Sequence, residues 1–492
     1  MNFPRAAEKK RVIILGGGIT GLSAAHKLIE LSRAGEESTF HPEILLAEAS
    51  GRLGGLIRTR REQGFLIESG PDSMISEKPW AIDLSRRLGL ENQMIPTQEK
   101  FRRSFIWRAK KLRPVPAGFY LMAAPKIETL LGLPFMSLPG KCRMALEPLI
   151  RKKSCAGDES VGSFIRRRFG SEALSAIGQP MIGGIYMADP ERLSLAATLP
   201  QFLEMERRHG SVIRGLKERA AKSAERAGQM AGGPRYSLFM SFRDGMQTLV
   251  DALERALTGS LDIRIHSRPM TLDRAGSGWE IRFEKEKIFA DGVLVCLPAR
   301  EAARLLKTSA PEVSKPLAQV RYESVISLAL GFKREDVGHP LDGFGIVIPS
   351  KEGFQTAACT LSSVKYPGRA PQGRVLLRAF LGGAFNREVL EKSDDEILRT
   401  VRSELRQMLG ITGDPVLEHL ERYPDSMPQY EVGHLQRMDK MEKALEAYPG
   451  LALAGNAYRG VGIPDAVRSG EEAAERIYAF LNSPKESVRH GV

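Results

Sequence analysis

Residues 12–28 read VIILGGGITGLSAAHKL. Four apolar residues, Val12 to Leu15, are β-forming and run straight into Gly16-Gly17-Gly18-Ile19-Thr20-Gly21. Beyond the glycines the apolar residues recur at helical spacing until Gly35. A second apolar strand, EILLAEAS, reaches Glu48. GxGxxG between a strand and a helix puts free backbone N–H groups and a helix dipole where a pyrophosphate can approach. A carboxylate closing the second strand can accept from ribose hydroxyls, and it favours a free 2′-hydroxyl over a phosphate. Glu48 lies 27 residues beyond Gly21, so the connection between helix and second strand is lengthened.

The same pattern is answered at the far end of the chain. AGNAYRGVGIPDAVRSG spans residues 454–470: an apolar strand ends, Gly460 and Gly462 soften the backbone, and a helix begins near Pro464. Arg52, Leu53, Gly54 and Gly55 follow Glu48. An acid, then an arginine and paired glycines, resembles the flavoprotein superfamily of amine oxidases, phytoene desaturases and porphyrinogen oxidases. In that light the C-terminal helix aims its N-terminus at the pyrimidine edge of a flavin, where reduction places negative charge. FAD is expected across the two ends of the chain, held non-covalently. Gly16, Gly17, Gly18, Thr20, Gly21, Glu48, Arg52, Gly54, Gly55, Met270, Gly455, Val461, Gly462 and Ile463 form the expected cofactor set.

The chain has 492 residues, enough for two or three domains. It is 42% hydrophobic and 27% charged, as soluble globular proteins are. No apolar run reaches the roughly 18–20 residues that span a membrane, and the short N-terminal apolar run is a strand and not a signal peptide. A cytoplasmic protein is expected. Cys142, Cys155, Cys296 and Cys359 are scattered and read as small apolar residues; no metal site is expected. The formal charge of +13 admits a basic surface, an anionic substrate or an anionic membrane, and no nucleic-acid motif accompanies it.

Four stretches narrow the resemblance: residues 12–28, EASGRLGGLIRT, FLIESGPDS, and GNAYRGVGIPDAVRSGEEAA. With FIRRRFGSEALSAIGQPMIGGIYMADPERLSL in the middle, they are similar to the oxygen-dependent porphyrinogen oxidases of haem biosynthesis. That family implies oxidation of coproporphyrinogen III or protoporphyrinogen IX by O2, giving H2O2, with hand-off of product to the next enzyme of the pathway. It implies a two-lobed α/β (α+β) fold. The discontinuous Rossmann-like FAD-binding domain would take 11–60, 240–305 and 448–482. A mixed-sheet substrate domain would take 61–95 and 306–447, and a helical membrane-facing domain 96–239. Basic clusters at 102–113, 151–153 and 166–168, interleaved with Phe105, Ile106 and Trp107, support peripheral attachment to an anionic surface.

The flavin carries the chemistry in that family, so no general base is assigned. For the substrate, the resemblance puts Phe344, Gly345 and Val347 against the macrocycle and a loop at 183–188, with Gly184 and Met187, over it. Ala188 stands where many relatives have glycine. Lys78 and Arg103 would meet propionates. Lys78 follows the GPDS stretch as a substrate-facing lysine does in bacterial relatives, whereas the mitochondrial branch carries its arginine at the position of Ser104, so Arg103 is a neighbour of that position. Two other readings remain: another FAD amine oxidase or desaturase, and a flavin-free escort protein that has kept the fold.

Overall fold

A computed structural model describes residues 10–33, 41–116, 118–153, 157–229 and 238–483. Cys155, Gly35 and the linker before Tyr236 lie outside them. The strands Arg11–Leu15, Glu43–Ala47, Asp262–Arg264, Gly292–Val295 and Leu451–Leu453 make one parallel sheet. Counted in chain order they lie 3-2-1-4-5, the order of a dinucleotide-binding half with a switch point beside the first strand. Its central strands are continuous apolar runs because both faces are covered, whereas the edge strand Asp262–Arg264 is polar and partly exposed. On one face pack the helices Ile19–Arg33 and Ile463–Asn482, through Leu22, Ala25 and Leu28 against Val467, Ala473 and Ile477. The two helices cross closely at Gly470, where a Cβ would sit 2.3 Å from Thr20 O. On the other face lies the meander Thr271–Ala275, Gly278–Arg282 and Lys287–Ala290, with Trp279 and Ile281 against Ile13 and Val293.

A second sheet has seven strands, ordered Leu417–Gln429, Arg321–Lys333, Arg374–Gly382, Thr356–Thr360, Gly345–Val347, Ser104–Arg108 and Lys111–Pro114. Helix Asp394–Leu409 covers it, held by a capping box between Ser393 and Glu396. The third body is helical and packs around Phe164, Phe169, Ile177, Phe202 and Ile213. The fold is mixed α/β, as expected.

Three expectations change. The stretch beginning at 96 opens with a single 3-10 turn, Glu99–Phe101, and two strands: Ser104–Arg108 and Lys111–Pro114 complete the seven-stranded sheet, and α-helices start only at Ile127–Leu131. Phe105 and Trp107 are consequently sheet core, buried to 5% and 3% exposure, and offer no apolar face to a membrane. Ser104–Arg108 carries a continuous apolar run covered on both faces, with Ile106 in the core of the helical body and Phe105 and Trp107 in the core of the sheet and its covering helix. Residues 74–94 differ as well: Met74, Ile82, Leu84 and Met94 join the apolar core of the dinucleotide lobe.

The cluster at 166–168 is not a free basic patch either. Arg168 is fully buried, with Nε 2.7 Å from Glu147 Oε1, and its guanidinium also donates to Ile150 O and Gly210 O. Arg167 pairs with Glu206 and Glu159, and Arg166 with Glu191. Glu147 further accepts from Ser211 Oγ and from the Val212 and Ile213 N–H groups at the start of helix Val212–Gln229. A buried ion network needs such complete hydrogen bonding to be tolerated.

Candidate functional site

The carboxyl ends of the central strands all open on one crevice, the place where doubly wound sheets bind ligands. Gly16 follows the first strand, Glu48 the second, Cys296 the fourth and Ala454 the fifth. Gly16 has φ of 109° and leads into helix Ile19–Arg33, whose first intrahelical donor is the Leu22 N–H to Gly18 O at 3.0 Å. The glycines divide by task. A Cβ at Gly21 would lie 1.9 Å from Gly16 O, so that glycine is required by the turn itself. A Cβ at Gly18 would meet nothing nearer than Gly55 Cα at 3.9 Å, so its bareness leaves space for a ligand at the helix N-terminus.

Glu48 is fixed in place. One carboxylate oxygen accepts from the Gly17 N–H and the other from the Ser50 N–H, each at 2.7 Å. Remaining lone pairs on both oxygens stay available to hydroxyl donors. Gly54 N–H donates to Gly17 O, tying the paired glycines to the first loop. Arg52 is spent on its own loop, donating to Gly55 O at 2.6 Å and to Ile57 O. It lines a cleft of about 600 Å³ with Leu53, Arg58, Thr59, Gln247 and Glu254. Met270 offers little from its backbone: its N–H donates to Arg282 O and its carbonyl accepts from Arg304 Nη1.

The C-terminal loop closes the other side. Gly462 caps helix Ile463–Asn482, with Val461 half-buried before it and Ile463 buried after it. Gly455 N–H donates to Ser469 Oγ. Gly460, at φ 153°, lies so close to Asp465 that a Cβ would be 2.2 Å from its Cγ. Asp465 is buried in the first turn of the helix, and Lys78 Nζ reaches its two oxygens at 2.8 and 2.7 Å. Sequence reading had reserved Lys78 for an anionic substrate; the structure gives it a carboxylate of its own. Arg103 is also matched, with Nη1 2.9 Å from Asp342, and it is half exposed.

Of the expected substrate wall, Phe344, Gly345 and Val347 stand together at an inner strand of the second sheet, Gly345–Val347, between Thr356–Thr360 and Ser104–Arg108, and Gly184 packs on Val347. Phe344 is half-buried; its N–H donates to Arg103 O, and its carbonyl accepts from Leu361 N–H. The segment expected as a loop at 183–188 is instead the end of helix Gln179–Tyr186, with Met187 as a left-handed cap at φ 51°. That helix continues a π-helical turn, Leu174–Gly178, a local irregularity often retained where a site needs it. Met187 O accepts from Ala384 N–H, and Ala188 is buried.

Sequence reasoning missed Tyr430, His434 and Asp465. Tyr430 and His434 stack at 3.9 Å, 12° from parallel, beside the C-terminal loop. Burial pulls the His434 imidazole down to about 4, so it is neutral. Only one signal was present: an aspartate directly after the proline that starts a helix, which could have been read as an anion needing a partner.

The flavin containing amine oxidoreductase family matches residues 19–478, and the chain belongs to it. Within that family it is similar to the coproporphyrinogen III oxidases of Bacillus subtilis, 34% identical over 96% of this chain and 99% of the relative, and Staphylococcus aureus, 32% identical over 96% and 100%. The mitochondrial protoporphyrinogen oxidase of Nicotiana tabacum is 32% identical over 98% of this chain and 97% of that one. An Exiguobacterium crystal structure, assigned provisionally as a protoporphyrinogen oxidase, superimposes with a TM-score of 0.82 at 29% identity, covering 97% and 100% of the two chains. A flavin fits the residues present: the bare Gly18, the fixed Glu48 and the capped C-terminal helix face one crevice.

Proposed function

We propose that the chain is an FAD-dependent porphyrinogen oxidase of haem biosynthesis, taking coproporphyrinogen III or protoporphyrinogen IX to the porphyrin. The observation that carries this reading is the full-length similarity to coproporphyrinogen III oxidases, joined to a crevice whose two rims come from opposite ends of the chain. Six electrons and six protons leave the macrocycle, and three O2 become three H2O2. Bound flavin supplies hydride acceptance and the reaction with O2. Among the chain's own residues, Glu48 would accept the ribose hydroxyls of FAD, and the Ile19–Arg33 helix N-terminus would meet its pyrophosphate. The half-buried wall of Phe344, Gly345 and Val347 would orient a pyrrole, with Gly184 setting how closely the helix approaches.

The deciding measurement is anaerobic. Each porphyrinogen in turn is mixed with the FAD-loaded protein, and bleaching of flavin absorbance is followed. Fast bleaching by coproporphyrinogen III supports the reading most directly suggested by the bacterial relatives. Bleaching by a primary amine and by neither porphyrinogen would move the chain to the amine oxidases. Colourless protein after reconstitution with FAD would leave only the escort reading.

We also propose peripheral attachment through the helical body, now from a different patch. Among the described residues, no helix is long and apolar enough to cross a membrane. Leu131, Leu138, Leu146 and Leu149 are 44–74% exposed, and the exposed Lys126, Arg151 and Lys152 accompany them in the sequence. Apolar side chains beside cations suit an anionic leaflet.

A further inference from the structure

The C-terminal loop is fastened at three backbone atoms by two stacked side chains. Tyr430 is buried to 2% exposure. Its hydroxyl donates to Asn456 O at 2.7 Å and accepts from the Gly460 N–H at 2.8 Å. The His434 ring, parallel to it, lies with Nε2 2.7 Å from Tyr458 O. A neutral imidazole facing a carbonyl must donate, so Nε2 carries the proton. Among the described residues His434 Nδ1 is buried with no partner, and a second proton there would find no acceptor among them.

The same pair is held from behind by the helical body. Ser194 N–H donates to Tyr430 O, and Val432 N–H donates to Arg192 O. Asp158 accepts from Ser194 Oγ at 2.7 Å and from Gly433 N–H at 3.0 Å. Tyr430 therefore sits where three parts of the fold meet: the end of strand Leu417–Gln429, the segment 189–195 of the helical body, and the loop 454–462.

We propose that Tyr430, with His434, is a positioning pair that fixes the loop 454–462 in its flavin-receiving shape and ties that shape to the helical body. This rests on the flavin reading above. Tyr430 acts through the backbone of the loop. Its ring contributes packing, which a phenylalanine would keep, whereas only its hydroxyl reaches both Asn456 O and Gly460 N–H.

Two measurements on the full chain test it, comparing wild type, Tyr430→Phe and His434→Gln. The first is amide hydrogen exchange of the protein as purified. Tyr430→Phe is expected to speed exchange in peptides covering 454–462 about 10-fold or more, since the part-buried Gly460 N–H loses its acceptor, while the central sheet is unchanged. The second is FAD affinity of the stripped apoprotein, read by quenching of flavin fluorescence, together with the flavin reduction potential. An approximately 10-fold weaker FAD Kd and a shifted potential in Tyr430→Phe, and a smaller change in His434→Gln, are expected. Faster loop exchange with unchanged Kd and potential would overturn the positioning role and leave mere packing. Unchanged exchange would overturn the fastening itself. Wild-type protein that binds no FAD would instead sink the flavin reading, and the exchange comparison would still decide whether the loop is fastened.

Discussion

Lys78 shows how a side chain's meaning is set by its neighbour. Its pairing with the buried Asp465 implies that removing the lysine leaves the carboxylate in the first turn of the last helix facing Arg468 at 3.9 Å in place of its direct ion pair. Breaking a buried pair on one side is destabilising, here moderated because the lysine is 43% exposed. Lys78→Met is expected to cost about 1–3 kcal/mol in urea unfolding, and Asp465→Asn in the same chain should recover much of it. A Lys78→Met protein with wild-type stability and only a raised KM would return the residue to substrate binding. For Phe344 the role proposed above lies in the reaction instead. If it sets the tilt of a pyrrole, a displacement of about 1 Å costs on the order of 100-fold. Phe344→Ala should therefore reduce flavin slowly even at saturating porphyrinogen, in stopped flow.

Glu68 carries a pH signature. Burial raises its carboxyl to about 7, opposed by the Met246 N–H, Arg369 and Thr59 and reinforced by Asp72. A raised pKa means the folded state holds the proton more tightly, so its contribution is complete below about 4.5 and disappears as pH rises through 7. The depressed His434 works the other way: folding is disfavoured as pH falls from 6.5 toward 4. Comparing wild type with Glu68→Gln at each pH cancels the histidine. The stability difference between them should change by on the order of 2–3 kcal/mol from pH 5 to pH 8, with the wild type losing. Parallel curves across that range would mean that Glu68 is ionised in the fold throughout.

At the scale of elements, the start of helix Val212–Gln229 depends on Glu147. The carboxylate takes the place of a side-chain cap, accepting from Ser211 Oγ and two backbone N–H groups while Arg168 balances its charge. Arg168→Met leaves that carboxylate buried without its counter-ion. A loss of about 3–5 kcal/mol is expected, visible as an early unfolding phase of the helical body in exchange or calorimetry. An unchanged transition would mean that Ser211 and the helix N-terminus suffice.

For the whole molecule, cations such as Arg166, Arg167 and Arg168 are matched by carboxylates, and the net charge of +13 is the excess of Lys and Arg over Asp and Glu. Each cation near an anionic leaflet adds roughly 1 kcal/mol, and the exposed leucines add apolar burial. Flotation with anionic liposomes at low salt should recover the protein, and Leu138→Asp with Leu149→Asp should abolish it without altering FAD binding. Equal flotation by that double variant would place the contact elsewhere.

The dinucleotide lobe was legible residue by residue because its signals are local. The strand Arg11–Leu15, the glycine turn, Glu48 and the helix start at Pro464 each follow from neighbours within a few positions. Even so, that the two ends meet depends on the parallel pairing of Val295 with Leu15 on one side and Leu453 on the other. What the sequence could not settle was the partner of each charge. Lys78 finds Asp465 across 387 residues, Arg103 finds Asp342 across 239, and Arg168 finds Glu147 inside a core. A basic cluster reads the same whether it faces lipid, a propionate or a buried glutamate. Periodicity reports which face of an element is apolar, but only the tertiary fold brings distant charges within a few ångströms, and Coulomb energy and desolvation act at that range.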